Sequence, residues 1–326
     1  MIKDNYNRVH DYLRISLTDN CDLRCFYCMP EEDYQFTAAN KLMQAQEIEA
    51  IAKTFVKEGV KKIRLTGGEP LVRKDFDVIL QSLGNLGIEL TMTTNGTRLH
   101  EFVDVIKAAG IKSLNISLDT LQPDRYILMT KRDKQAQVMR NIQLMLDNGI
   151  GVKVNVVAMK GVNDEEIIDF VKWTKDTLIH VRFIEFMPFD RNKWNSDKVI
   201  TLNEILDTVT NSFNIESIDR LPHDTAKQYR VPGHKGTFAV ISTMSAPFCG
   251  DCNRMRLTAD GKMKNCLFSL SETDLLTALR NGEDITPLIY QNVLDKKEAL
   301  GGQFTTDLSK IEIGNLHNRT MISIGG

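Results

Sequence analysis

Cys21, Cys25 and Cys28 stand within eight residues of one another, and Cys249, Cys252 and Cys266 form a second group. These two triples hold all six cysteines of the chain. In a reducing compartment, thiols so closely spaced bind metals or do chemistry rather than build a disulfide framework. Structural zinc takes four protein ligands. Neither triple has a fourth at ordinary spacing: His10 lies eleven residues before Cys21, and His234 fifteen before Cys249. Catalytic zinc uses three ligands and a water, so zinc stays open. A [4Fe–4S] cube is the other reading. Three thiolates would each take one iron and leave the fourth free for a ligand with nitrogen or oxygen donors.

The rest of the chain must position these groups. Its 326 residues suit one large domain or two ordinary ones, and 42% hydrophobic with 26% charged residues is an ordinary globular composition. A net charge of −2 gives no global pull toward nucleic acid or an anionic membrane. Any anion site must come from a local cluster of cations. The first sixteen residues lack the apolar stretch of a signal peptide, and no run is long enough to span a bilayer. A cytoplasmic setting is the expectation.

Between residues 12 and 187 one joint recurs: a helical pattern, a glycine, then a β-rich run. Gln44 to Glu58 places Ile48, Ile51, Ala52, Phe55 and Val56 on one helical face, and Gly59 stops it before KKIRLT. Gly87, Gly110, and Gly149 with Gly151 precede further strands. Asn163, with Glu166 three residues on, reads as a helix cap. Six βα-like units predict an α/β fold with parallel strands and crossover helices.

Parallel strands covered on both faces normally read as continuous apolar runs. Here they alternate. Arg14, Ser16 and Thr18 share one face, as do Arg64 and Thr66, then Thr91, Thr93 and Asn95, then Asn115, Ser117 and Asp119, then Lys153 and Asn155. Period two predicts an apolar face for the helices and a polar face turned toward a ligand-holding lumen. After Met187 the pattern changes. Hairpins are expected around Pro232-Gly233 and Asp260-Gly261, and helix over residues 270 to 300. The predicted architecture is a partial (βα)6 TIM-type barrel over residues 1–190. A small antiparallel β module over 191–326 carries the second triple and closes the open side.

The spacing C-x3-C-x2-C from Cys21 to Cys28, with TGGEP from Thr66 to Pro70, resembles the radical S-adenosylmethionine enzymes. Gly67 and Gly68 admit backbone close to a ligand. Glu69 would add a negative partner for an ammonium. The second triple, within FCGDCNRMRLTADGKMKNCLF, narrows the resemblance to the GTP 3′,8-cyclases of molybdenum cofactor biosynthesis. LRISLTDNC, KKIRLTGGEPLVRKDF, TTNG, NISLD, VKVNVV, RFIEFM and the closing Ile324-Gly325-Gly326 extend it over nearly the whole chain. One departure is Asn7-Arg8, where that family usually has Gly-Arg.

The resemblance implies two [4Fe–4S] clusters, one on Cys21, Cys25 and Cys28 and one on Cys249, Cys252 and Cys266, with S-adenosyl-L-methionine as cofactor. Tyr27, Gly68, Ser117 and Met187 would border S-adenosylmethionine. Arg14, Arg64, Thr93, Lys153, Arg254, Met255 and Arg256 would hold GTP, with Asn95 and Asn155 as further lining. Catalysis would rest on the first three cysteines with Arg254 and Arg256. The implied reaction takes the ribose 3′ hydrogen with a 5′-deoxyadenosyl radical and joins C3′ to C8. Its product is (8S)-3′,8-cyclo-7,8-dihydroguanosine 5′-triphosphate. No G-x4-G-K-[ST] loop is present, so the triphosphate must be held by arginine forks and lysine. A flavodoxin or ferredoxin as electron donor, a cyclic pyranopterin monophosphate synthase downstream, and a homodimer are implied as well. Gly325-Gly326 reads either as a frayed end or as a tail slim enough to enter a cationic cavity. The rival readings are a peptide-modifying radical enzyme, whose type usually carries more cysteines, and a zinc-stabilised binding protein.

Overall fold

The computed structural model describes residues 1–29, 34–305, 307–311 and 318–325. Strand and helix alternate from the start. β1 (Tyr12–Ser16) leads through α1 (Ala45–Lys57) to β2 (Lys62–Thr66), α2 (Phe76–Gly84) and β3 (Glu89–Thr94). Then come α3 (Val103–Ala108), β4 (Ser113–Ser117), α4 (Pro123–Thr130), α5 (Gln135–Asp147), β5 (Gly151–Ala158), α6 (Ile167–Trp173) and β6 (Ile179–Glu185). These six strands lie side by side in sequence order and all pair in parallel. Crossover helices impose that arrangement, because a parallel neighbour needs a long return.

The alternation read from the sequence separates two faces: burial itself alternates along β5 and β6, while along β2, β3 and β4 the polar face is buried too, at Arg64, Thr66, Thr91 and Asn115. Leu13, Ile15, Ile63, Leu65, Met92, Leu114, Ile116, Val154 and Val181 lie in one apolar core, essentially free of solvent. Ile48, Ile51, Ala52 and Phe55 of α1 pack into the same core. Each such large aliphatic contributes about 1.5–3 kcal/mol through burial. The opposite strand face carries the polar set. It curls into an interior: Lys153 on β5 and Arg182 on β6 both feel the charge of Arg64 on β2. A flat sheet would hold β2 and β6 about 19 Å apart.

Residues beyond β6 do not form a separate layer. After α7 (Leu202–Thr210), the strands β7 (Glu216–Ile218), β8 (Lys227–Arg230) and β9 (Thr237–Ile241) make antiparallel pairs, and β9 joins β6 in parallel. β10 (Arg254–Leu257), β11 (Lys262–Lys264) and β12 (Thr273–Asp274) do the same at the other edge, where β10 joins β1 in parallel. The expected hairpins are present but belong to one twelve-strand sheet, three strands added at each edge. An open edge offers unpaired N–H and C=O groups, and both edges are used. α8 (Leu275–Arg280), α9 (Thr286–Leu294) and the short α10 (Met321–Ile324) complete the chain's helices among the described residues. None of its described helices is long and apolar enough to cross a membrane.

Two local expectations resolve differently. Asn163 caps nothing with its side chain; it bridges Met159 N, Asp119 O and Val157 O instead. Glu166 is likewise diverted, accepting from Thr120 Oγ1, Leu121 N and Arg125. Asn7 takes φ 64°, a left-handed position that Gly or Asn fills most readily. That accounts for Asn in place of Gly before Arg8.

Gly68 is fixed by close approach. Its N–H donates to Thr18 O at 2.7 Å, and a Cβ there would lie 2.4 Å from Asn20 O and 2.6 Å from Asp19 O. Both obstacles are backbone. Gly68→Ala should cost about 1–3 kcal/mol. Urea unfolding of the metal-free chain measures it, and an unchanged midpoint would contradict this packing.

Candidate active site

Strand direction decides where the two cysteine triples lie. β1 ends at Ser16 and runs directly into the Cys21 loop. β10, parallel to β1, begins at Arg254, two residues after Cys252. The first triple therefore sits at the carboxyl ends of the strands, and Cys249 and Cys252 at the amino ends. β11 runs back antiparallel to β10 and returns Cys266 to that second end. The polar interior joins the two.

At the carboxyl end, Arg24 N donates to Thr130 O at 2.9 Å and Phe26 N to Met129 O at 3.1 Å, tying the cysteine loop to α4. Cys21 Sγ accepts from Leu23 N at 3.4 Å and Asn95 Nδ2 at 3.7 Å. Asp22 accepts from Asn95 Nδ2 and Thr97 Oγ1 at 2.7 and 2.6 Å. Tyr27 OH donates to Asp119 Oδ2 at 2.6 Å, while Asp119 Oδ1 accepts from Val157 N. Burial, then the nearby negative charge of Asp119, pushes Cys28 up to about 12 and raises Cys25 well above its usual range. Burial and Glu69 raise Cys21. These are neutral thiols until a metal supplies positive charge.

Among the described residues, no three Cys, His, Asp or Glu side chains converge on one ion. A multi-iron cluster does not ask them to, since each thiolate takes its own iron. The donor set fits a cluster: soft ligands only, three to a loop, flanked by N–H donors to sulfur. Of the histidines nearest in sequence, His10 is bound to Asp4 and His234 to Thr174.

The interior is a band of cations. Arg254, Tyr12 and Lys62 are in register across β10, β1 and β2, and so are Arg256, Arg14 and Arg64. Asn115, Lys153, His180 and Thr237 form a layer on β4, β5, β6 and β9, and Ser117, Asn155 and Arg182 another. Burial and Arg256 pull Arg14 well below its ordinary value. Burial and Arg254 bring Arg256 to about 10; burial and Arg64 bring Arg182 to about 9. Lys153 is lowered by burial and Arg182. Arg64 donates to Tyr12 OH, Arg182 to Asn155 Oδ1, Arg254 to Cys252 Sγ and Arg256 to Gly325 O. None of those acceptors is a carboxylate. Arg182 Nε is buried without a hydrogen-bond partner among the described residues. Clustered cations of this kind are stabilised by a bound anion with several oxygens.

At the amino end, Arg254 Nη2 lies 3.2 Å and Lys296 Nζ 3.5 Å from Cys252 Sγ. Burial alone would raise this thiol, but Arg254 and Lys296 override it and bring Cys252 down to about 6. Cys249 is raised by burial. Gly325 enters the interior: a Cβ on it would meet Thr66 Oγ1 at 2.6 Å and Ser16 Cβ at 2.8 Å. Arg319, bonded to Asp260 and Glu272 at 2.6–2.9 Å, anchors this tail. Gly326 lies outside the described residues.

The sequence-predicted residues therefore gather in one interior, with some reassignments. Thr93 accepts a long hydrogen bond from Arg64 Nη1, at 3.4 Å. Ser117 is half-buried beside Asn155. Met187 packs against Phe189, Met244 and Ile324, and its carbonyl accepts from Asn192 at 2.8 Å. Met255 alternates to the opposite face and is wholly buried in the apolar core, leaving only its backbone near the interior. Glu69 holds its own turn in place. It is fully buried and accepts from Leu71 N at 3.1 Å, Thr94 Oγ1 at 2.7 Å and Asn95 N at 2.6 Å, locking the GGEP turn to the loop after β3. Sequence reasoning missed Tyr12, His180, Arg182 and Lys296. The same alternation marked Tyr12 and Arg182; nothing local marked Lys296.

Comparison with known proteins shows the family. Residues 15–174 match the Radical SAM superfamily, and residues 179–301 match Molybdenum Cofactor Synthesis C. The chain is a radical S-adenosylmethionine protein, a class that uses S-adenosylmethionine and an iron–sulfur cluster. A mitochondrial GTP 3′,8-cyclase of Arabidopsis thaliana is 45% identical, over 100% of this chain and 84% of its own. A GTP 3′,8-cyclase of Peptoclostridium acidaminophilum is 40% identical, over 100% and 98%. The chain belongs to the GTP 3′,8-cyclase family. It spans about half the length of relatives named Molybdenum cofactor biosynthesis protein 1. Among solved structures, Streptococcus suis SuiB bound to S-adenosylmethionine aligns with a TM-score of 0.61 at 16% identity, covering 97% of this chain and 77% of that one. That likeness concerns the fold alone.

Burial raises Glu69 to about 7 against hydrogen bonds from Asn95 and Thr94 that lower it. Unfolded, it would titrate near 4.5. Between those values the folded chain keeps a proton that the unfolded chain has lost. Its contribution is full below about pH 4.5 and is lost as pH rises through about 7, on the order of 3 kcal/mol in all. Glu69→Gln should flatten the stability slope of the metal-free chain across this window. An unchanged slope in urea titrations at successive pH values would refute the assignment.

Proposed function

We propose that this chain converts GTP to (8S)-3′,8-cyclo-7,8-dihydroguanosine 5′-triphosphate, the first step of molybdenum cofactor biosynthesis. The observation that carries this reading is the band of inward-facing cations running between two open-ended thiol triples. Family membership supports it.

In this reading Cys21, Cys25 and Cys28 hold one [4Fe–4S] cluster, and Cys249, Cys252 and Cys266 hold the second. When bound, the first cluster and S-adenosylmethionine supply a 5′-deoxyadenosyl radical for removing the ribose 3′ hydrogen. The protein supplies position and seclusion. Tyr27, Gly68, Ser117 and the backbone of Met187 border S-adenosylmethionine at the carboxyl end. Arg14, Arg64, Lys153, Arg254 and Arg256, joined by Arg182, grip the triphosphate and orient the nucleotide. Thr93 steadies Arg64 from the side. Arg254 bridges the second triple and the substrate. A division near residue 190 separates the barrel from the segments that close it. A cytoplasmic homodimer, an electron donor such as flavodoxin or ferredoxin, and a downstream cyclic pyranopterin monophosphate synthase rest on family membership alone.

Anaerobic incubation with reductant, S-adenosylmethionine and GTP should yield the cyclised nucleotide by mass analysis. Cys21→Ala should abolish release of 5′-deoxyadenosine, and retained release would overturn the first-cluster assignment. Arg254→Ala and Arg256→Ala should each weaken GTP binding about 10-fold or more, the worth of a charged hydrogen bond. Iron content should hold. Unchanged affinity by equilibrium dialysis would refute the cation band as the nucleotide site.

A further inference from the structure

The first ten residues fold into a hook around one carboxylate. Asp4 Oδ1 accepts from Tyr6 N at 2.9 Å and Arg8 N at 3.0 Å; Asp4 Oδ2 meets Arg8 Nε at 2.6 Å and His10 Nε2 at 3.0 Å. Lys3 bridges Val9, and His10 N donates to Ile2 O. Asp4, Arg8 and His10 are all buried.

The free end of the Arg8 guanidinium reaches across the molecule. Nη1 donates to Cys249 O at 2.8 Å and Glu298 O at 2.6 Å, and Nη2 to Lys297 O at 2.9 Å. One planar group thus ties the second cysteine loop to residues 297–298. Asp4 fixes its rotation, as a carboxylate does for a guanidinium fork. Lys296 is the next residue along. It is 4% exposed, and its ammonium has two acceptors among the described residues: Cys252 Sγ at 3.5 Å and Arg254 O at 3.1 Å. A buried ammonium paired with no carboxylate is costly unless it faces negative charge. The charge it faces is the sulfur of a cysteine in the second triple.

We infer that Arg8 and Lys296 form a clamp on the second cysteine site: Arg8 positions residues 296–298 against the Cys249 loop, and the Lys296 ammonium, held on Cys252 Sγ, biases the iron–sulfur group there toward a more positive reduction potential. Hydrogen bonds to cluster sulfur and net local charge are among the terms that set such potentials. A cation at 3.5 Å stabilises the reduced, more negative state. This inference rests on reading the second triple as a cluster site.

The test uses the full chain, reconstituted anaerobically with iron and sulfide, in a Cys21→Ala, Cys25→Ala, Cys28→Ala background. The signal then comes from the second site. Redox titration followed by electron paramagnetic resonance should show a shift to more negative potential in Lys296→Met and its restoration in Lys296→Arg. Arg8→Gln should shift the potential in the same direction. In the metal-free chain, it should also speed amide hydrogen exchange in peptides covering 249–252 and 296–300. An unmoved midpoint in Lys296→Met, or unmoved exchange in Arg8→Gln, would overturn the clamp. If Lys296→Met loses its iron, retention by Lys296→Arg supports the role of charge, and loss from both overturns it. A parent chain without iron at the second site would sink the cluster reading itself. Exchange in the metal-free chain decides the mechanical half of the clamp separately.

Discussion

Positive charge collected inside a curled sheet is the constraint from which the rest follows. Arg14, Arg64 and Arg256 stand side by side in register, with Arg254 and Arg182 close by. Burial, and after it their mutual repulsion, lowers Arg14, Arg182 and Arg256. Such an arrangement needs a lumen in place of a packed core, because guanidinium groups left dry and unpaired would unfold the barrel. It also needs every strand to put its alternate residues into apolar packing, and the core is accordingly gathered between strands and helices. Polar lumen and apolar shell are one pattern of period two seen from its two sides.

The same constraint makes the two thiol triples unlike each other. At the carboxyl end, burial first and then the nearby carboxylates of Glu69, Asp119 and Asp22 raise the thiols of the first triple. At the amino end, Arg254 and Lys296 press on Cys252 and lower it. Identical thiols thus have unlike neighbours: Cys252 lies beside cations, and Cys25 and Cys28 beside Asp119. Negative surroundings disfavour an added electron and so favour a strongly reducing group; positive surroundings favour binding of an electron-rich ligand. Under the proposed function, one end is electrically suited to give an electron and the other to hold an anionic nucleotide. The division needs no difference in the cysteines themselves.

Much of this was legible in sequence, and the exceptions share a cause. Arg14, Arg64 and Lys153 could be placed inward because each sits in a short alternating run, and alternation is a local signal. Arg182 lies in such a run too, in VRFIEFM, and needed only the same reading. The bonds that hold Glu69 were not legible: its three donors come from its own turn, from the end of β3 and from the residue after it, a contact that TGGEP does not encode. Arg8 and Lys296 were silent: their meaning lies in contacts separated by 241 and 44 residues. The splitting of the last strands between both sheet edges was hidden for the same reason. A hairpin is local, but the edge it joins is not.

Sequence separation also bears on how the site is assembled. Arg14 meets Arg256 only when β10 docks on β1, a pairing across more than two hundred residues. Loop closure over that distance is slow and is not repaid until the strands pair. Docking then brings like charges together, so the electrostatics of the site oppose the pairing that forms it. Backbone pairing, the buried Met255 and Leu257, and the Arg8 bonds to the Cys249 loop must outweigh that repulsion. A bound polyphosphate relieves it. Any ligand that prefers the closed arrangement stabilises the fold by mass action, and here it would do so at the seam between β1 and β10, where clustered charge and long-range pairing coincide.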